Sequence, residues 1–213
     1  MSNEKRKGFF VVIDGGDGAG TTSVSKALVE RLGWNALYTH EPGGSPYAEK
    51  IRDLILSDEA KLSDSETQFM LFWAARRDHL VNTIVPALDK GKIVICDRFD
   101  SSTYAYQIVA QNNPELEKLF WSIREFVVKD TEPDLYILLD VPAEVGMRRA
   151  RQRDEELNHF DKMKIEFHEK VNKGLREFIG EKITNGHIID ARASFDDVVE
   201  STLSVIEEFL QLD

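Results

Sequence analysis

Residues Asp14 to Ser23 read Asp-Gly-Gly-Asp-Gly-Ala-Gly-Thr-Thr-Ser, a glycine-dense turn between the apolar run Phe9–Ile13 and an amphipathic helical pattern that continues through Leu32. Strand, glycine loop and helix in that order are the setting in which a backbone cradles phosphate. Glycine is required because such a loop takes dihedrals other residues avoid and brings its N–H groups close to the anion. The helix start adds unpaired N–H donors and the positive end of a dipole. Gly15, Gly16, Asp17, Gly18, Ala19, Gly20, Thr21, Thr22 and Ser23 are therefore the candidate phosphate-binding residues. Gly15, Gly20 and Thr22 fit the spacing G-x-x-x-x-G-K-[ST], but Thr21 stands where that pattern has lysine. The competing reading is a glycine-rich turn that binds nothing.

Three other groups of residues have chemistry to offer. Asp97 follows a buried apolar run and can reach a metal beside the loop, directly or through water, while Arg98 next to it presents a planar fork suited to phosphate. An Asp-Arg pair is otherwise often a structural ion pair. Phe72 and Arg76 lie four apart on the helical pattern Glu66–Leu80 and share a face. An aromatic ring with an arginine on one face can stack a base and bond its edge, although periodicity alone favours Phe69, Phe72 and Trp73 as core and the arginines as surface. Arg148, Arg149, Arg151 and Arg153 crowd a highly charged stretch, residues 148–164, which reads as either a solvated helix or a mobile lid whose arginines stabilise transferring phosphate. Arg52, in the pattern Ala48–Leu56, reads as an exposed charge, and Lys26 lies too far along its helix to replace the missing lysine.

These groups need a scaffold. The runs Phe9–Ile13, Ala36–Thr39, Ile93–Cys96, Leu135–Leu139 and His187–Ile189 alternate with helical patterns, and two are almost continuously apolar, as strands buried on both faces are. That predicts an α/β fold with a five-stranded parallel sheet flanked by helices. Ligands then bind beyond the carboxyl ends of the strands, where Asp14–Gly20, His40–Gly44, Asp97–Phe99, Asp140–Pro142 and Asp190 fall. The chain has 213 residues, enough for one domain, with 42% hydrophobic and 31% charged residues. Its formal charge of −11 argues against broad contact with nucleic acid or a membrane surface. Cys96 sits alone in an apolar run. The polar start Met1–Gly8 predicts no signal peptide, and no stretch reaches the ~20 apolar residues of a membrane span, so a cytoplasmic protein is expected.

Taken together, the segments GGDGAG, EPGG, AEKIR, LFWAAR, IVPAL, DRFDSSTYAYQ, PDLYILLDV, AEVGMRRA and FHEKV resemble the bacterial form of thymidylate kinase over nearly the whole chain. The resemblance implies a P-loop NTPase fold in one nucleoside-monophosphate-kinase domain, residues 1–213, with a lid near residues 148–164. It implies a homodimer that transfers the ATP γ-phosphoryl group to dTMP for dTTP synthesis, with Mg²⁺. Phe72 would stack on thymine and Arg76 would bond its edge, with Thr103 and Gln107 also touching the nucleotide. Arg52 and Arg98 would hold the dTMP phosphate, and Asp17 the sugar 3′-hydroxyl or the metal region. Thr22 and Asp97 would place Mg²⁺, and Arg153, Asp97 and Asp17 would form the catalytic set. The chain departs from the family at Thr21, at His40 in place of an arginine, and at Asn158-His159-Phe160-Asp161, where His159 takes an arginine position. Each departure removes a fixed positive charge or makes it depend on pH. A catalytically impaired nucleotide-binding homologue and a kinase for another nucleoside monophosphate are the alternatives.

Overall fold

The structure, a computed structural model, describes residues 8–152, 160 and 162–211. The expectations placed on Arg153, Asn158, His159 and Asp161 lie outside the described residues. Strands β1 (Phe9–Gly15), β2 (Ala36–His40), β3 (Ile93–Asp97), β4 (Leu135–Asp140) and β5 (Gly186–Asp190) form one sheet in the order β2-β3-β1-β4-β5. Every pairing is parallel, and Val12 of β1 stands between Cys96 and Tyr136. Each expected strand is present and extends a residue or two beyond its apolar run, because the polar residue closing each strand still pairs with its neighbour.

All seven residues of β1 are buried. Its side chains alternate between two cores, since successive residues of a strand point to opposite faces. Phe10 and Val12 join the layer that includes Phe69, Trp73, Phe120 and Phe178, whereas Phe9, Val11 and Ile13 join the layer that includes Leu28, Val198 and Ile206. Helices α1 (Thr21–Leu32) and α9 (Phe195–Gln211) cover the second face. The first face is covered by α2 (Pro46–Leu56), α3 (Ser65–His79), α4 (Val85–Asp89), α6 (Leu116–Val128) and α8 (Ile165–Glu177), while α5 (Asp100–Thr103) follows β3 and α7 (Ala143–Arg151) follows β4.

Two details position the site. The chain builds β2 and β3 on one side of β1 and β4 and β5 on the other, so the order reverses at β1, where crevices open at the strand ends. Helix α5 runs on without a break into Tyr104–Ala110, wound with the wider π pitch. Such segments are frequent at functional sites, and this one carries Tyr106 and Gln107.

Candidate active site

At the end of β1 the loop closes on its own backbone, with Ala19 N–H donating to Gly16 O at 3.0 Å and Val24 N–H to Gly20 O at 2.9 Å. Gly18 (φ 77°) and Gly20 (φ 93°) lie in the left-handed region, which accounts for glycine at these two positions. Ala19 turns into the core at 4% exposure. Thr21 is 6% exposed, and its Cγ2 stands 3.1 Å from where a Cβ on Gly15 would be. No amine takes the lysine's place here among the described residues: Lys26 Nζ lies 5.6 Å from the ring centroid of Tyr38.

Across the crevice, β3 delivers Asp97. Thr22 Oγ1 donates to Asp97 Oδ2 at 2.5 Å, and Asp97 Oδ1 is buried with no hydrogen-bond partner among the described residues. A hydroxyl beside an orphaned carboxylate oxygen fits Mg²⁺, which takes one or two protein oxygens and completes its octahedron with water and phosphate. The negative charge of Asp97 also reaches Tyr38, whose hydroxyl is pushed up to about 12, first by burial and then by that carboxylate.

Arg98 follows in a left-handed conformation (φ 66°), rare for a residue with a side chain, and its N–H donates to Ile13 O at 2.9 Å. Strain of this kind persists where the surroundings over-determine it. Its guanidinium donates to Asp17 Oδ1 at 3.0 Å and Ser102 Oγ at 3.2 Å. Burial drives the Asp17 carboxyl upward, but contacts from His168, Arg98 and Tyr106 outweigh it and hold the group below its ordinary range. Asp14 shows the reverse balance. Burial dominates and raises it, although Arg98, Ser101, Gly15 N–H and Ser102 all favour its charge.

A cavity of 440 Å³ opens between the loop and the end of β3, lined by Asp97 and Arg98 among others. Gly16, Asp17, Gly18, Thr21, Thr22, Arg52 and Arg98 contribute to it together with Phe72, Arg76 and Gln107. Gln107 is fully buried, and neither its amide oxygen nor its amide nitrogen has a partner among the described residues. Arg52 Nη1 donates to Pro42 O at 2.7 Å, which ties α2 to the turn after β2.

The family model of thymidylate kinase matches residues 13–202. The chain belongs to the thymidylate kinase family. It is 40% identical over 206 residues to the thymidylate kinase of Staphylococcus haemolyticus, covering 95% of this chain and 98% of that protein. The thymidylate kinase of Halalkalibacterium halodurans is 39% identical over 210 residues, with 97% and 99% covered. Among solved structures, the thymidylate kinase of Ehrlichia chaffeensis superposes with a TM-score of 0.75 at 29% identity, over 94% of this chain and 98% of that one.

For this thymidylate kinase family member, the structure places four of the residues singled out from sequence more closely. Arg76 is not at the surface: it is 1% exposed, lies over the rings of Trp73 and Phe99, and donates from Nε to Glu41 Oε2 at 2.8 Å. Its Nη2 donates to Phe99 O at 2.9 Å and Thr103 Oγ1 at 3.1 Å, while Nη1 has no partner among the described residues. Thr103 thus stands behind Arg76, its hydroxyl committed, rather than in the cavity lining. Arg52 faces the cavity, not open solvent. Of the arginines on the approach to residue 153, Arg149 is bonded to Ala191 O at 2.9 Å.

Sequence reasoning missed Glu41, His79, Tyr106 and His168. His79 carried the clearest signal, since it lies three residues beyond Arg76 and so on a neighbouring face of α3. Its Nδ1 stands 3.1 Å from Glu41 Oε1 and its Nε2 2.6 Å from Thr39 Oγ1, so the carboxylate holding Arg76 is itself held.

Proposed function

We propose that the chain transfers the γ-phosphoryl group of ATP to dTMP, giving dTDP. The observation that carries this is a set of buried polar groups in the cavity with no partner among the described residues, the Gln107 amide and Arg76 Nη1. Buried polar atoms without partners are rare, and here they face a space that a ligand can fill. The edge of thymine offers one N–H donor between two carbonyl acceptors, which an amide and a guanidinium N–H complement. Phe72 stacks on the ring. The cavity's 440 Å³ falls in the range usual for small-molecule sites.

Arg98 and Arg52 hold the acceptor phosphate as guanidinium forks, and Asp17 accepts from the sugar 3′-hydroxyl. Backbone N–H groups of the loop receive the donor phosphates, other than those of Gly15 and Ala19, which donate to Asp14 Oδ1 and Gly16 O. Thr22 and Asp97 hold Mg²⁺, which when bound neutralises charge on the phosphate oxygens. Phosphoryl transfer otherwise asks mainly for alignment and a preorganised field. Arg153, in the lid expected at residues 148–164 of this single domain, supplies the charge that Thr21 lacks.

The test is ADP release from the purified chain with ATP, Mg²⁺ and, in turn, dTMP, dUMP, dCMP and dGMP. The fastest release is expected with dTMP. Release no faster than without acceptor overturns the reading, and preference for another monophosphate moves the chain to that substrate. Thr21 favours a second reading, an impaired nucleotide-binding homologue, which requires that dTMP raise the melting temperature while ADP never appears.

The functional unit is a homodimer. Helices α3 and α6 pack side by side and leave apolar side chains in water: Met70 is 48% exposed, Leu119 37% and Phe126 73%. An interface with a second copy of the chain would cover these side chains. Sedimentation should give a dimer for the native chain and a monomer for Phe126→Glu; a native monomer removes the proposal. No described helix is long and apolar enough to cross a membrane, and a cytoplasmic location remains the proposed setting.

A further inference from the structure

We infer that His168 is a positioning residue for dTMP binding, acting through Asp17 of the phosphate loop. The inference rests on the proposed role of Asp17 and Arg98 at the acceptor. His168 lies on the first turn of α8 and is 3% exposed. Its Nδ1 stands 3.2 Å from Asp17 Oδ2, off the line of an ideal hydrogen bond, and neither atom has another hydrogen-bond partner among the described residues. The other carboxylate oxygen, Oδ1, accepts from Arg98 at 3.0 Å and from Tyr106 at 2.8 Å. The two oxygens of Asp17 therefore serve different neighbours.

One turn further along α8, Asn172 donates to Val141 O at 2.8 Å and places Oδ1 where a Cβ on Gly16 would stand 2.1 Å away. The helix is thus keyed to the loop at two successive turns, and the ring of His168 has little freedom to leave Asp17. A histidine kept only to fill volume would be a poor choice, because burying two ring nitrogens without partners costs free energy that a phenylalanine avoids. The ring earns its place by what it does to Asp17. With Nδ1 carrying the proton, it gives Oδ2 a donor. Without it, Oδ2 becomes a buried charge with no donor, and the carboxylate turns to share both oxygens with Arg98. That would draw the Arg98 fork away from the cavity, where the acceptor phosphate needs it.

The test is the dissociation constant for dTMP, measured by calorimetry on the full chain. The variants are His168→Phe, which keeps the ring and removes both nitrogens, and His168→Asn, whose amide can stand in for Nδ1. His168→Phe is expected to weaken dTMP about tenfold, the size of one charged hydrogen bond, and His168→Asn to recover most of that loss. In an Asp17→Ala background, the same His168→Phe change should alter affinity by less than about twofold, because coupled residues do not add. Preference for dTMP over its 3′-deoxy analogue should shrink in His168→Phe. Native affinity in His168→Phe overturns the inference, and so does an equal loss in the Asp17→Ala background, since His168 then acts elsewhere. Should His168→Phe fail to fold by circular dichroism, His168→Leu carries the same comparison. Failure of the native chain to bind dTMP would instead refute the proposed function.

Discussion

Gly18 of the phosphate loop and Gly146 of α7 meet backbone to backbone: a Cβ on Gly18 would stand 1.9 Å from the Gly146 carbonyl oxygen, and one on Gly146 would stand 2.3 Å from Asp17 O. The loop is therefore shaped from outside as well as by its own dihedrals. Gly146→Ala must push it, since both obstacles are backbone and neither can swing aside. The expected cost is about 1–3 kcal/mol of stability, as for other overpacked sites, with weaker ATP binding. Gly180→Ala is the control, because a Cβ there meets only Ile188 Cδ1 at 3.6 Å. Denaturant melts of both variants and an ATP titration check this; equal stabilities would show that the loop yields easily.

Gln107 sets affinity against stability. Its amide is buried and has no partner among the described residues, and an unsatisfied buried polar group costs about 1–3 kcal/mol. Gln107→Leu removes that cost at similar volume. The ligand-free protein should melt at an equal or higher temperature, while dTMP binds about tenfold or more weakly because a base edge loses its partner. Melting and binding measured on one preparation decide the matter. A fall in both would mean that the amide has a structural partner.

The sheet was legible because its strands are buried on both faces and so stand out as apolar runs, as Ile93–Cys96 and Leu135–Leu139 do. The loop was legible because its glycines follow one another in sequence. Arg76 was not. Periodicity assigns a helix face by hydrophobicity and sends every arginine outward, whereas Arg76 is buried by Glu41 from the turn after β2 and by Phe99 and Thr103 beyond β3. His168 was hidden for the same reason, since Asp17 becomes its neighbour only after α8 packs back on the loop.

Asp17 and Asp14 should respond to acid in opposite senses. Asp17 is held below its ordinary 3.8 in the fold, so the stability it contributes is complete above that value and is lost as pH falls through the lower, folded value. The gap in melting temperature between the native chain and Asp17→Asn should stay level from pH 7 to about 4 and close below. Asp14 is raised by burial from the same 3.8. Acidification through its folded value relieves the buried charge, so the native chain should gain on Asp14→Asn as pH falls towards 3.8. Parallel profiles for the two variants would contradict both assignments.

Thr21 determines how much catalysis the loop retains. Its backbone N–H belongs to a loop closed by the Ala19 and Val24 hydrogen bonds, so the phosphate cradle does not depend on a lysine. What is lost is a charged hydrogen bond of about 1.5–3 kcal/mol, or roughly ten- to a few-hundred-fold in rate if nothing compensates. Thr21→Lys should therefore raise kcat while leaving the KM for dTMP nearly unchanged, because the lysine serves the transferring phosphate rather than the base. Packing sets the opposing outcome. The Thr21 methyl lies against Gly15 and the residue is almost fully buried, so a longer side chain must leave through the cavity mouth. If kcat and melting temperature both fall, the loop is built around threonine. If kcat alone is unchanged, another cation already supplies the charge, and Arg153→Ala should then lower kcat strongly while leaving dTMP affinity almost unchanged.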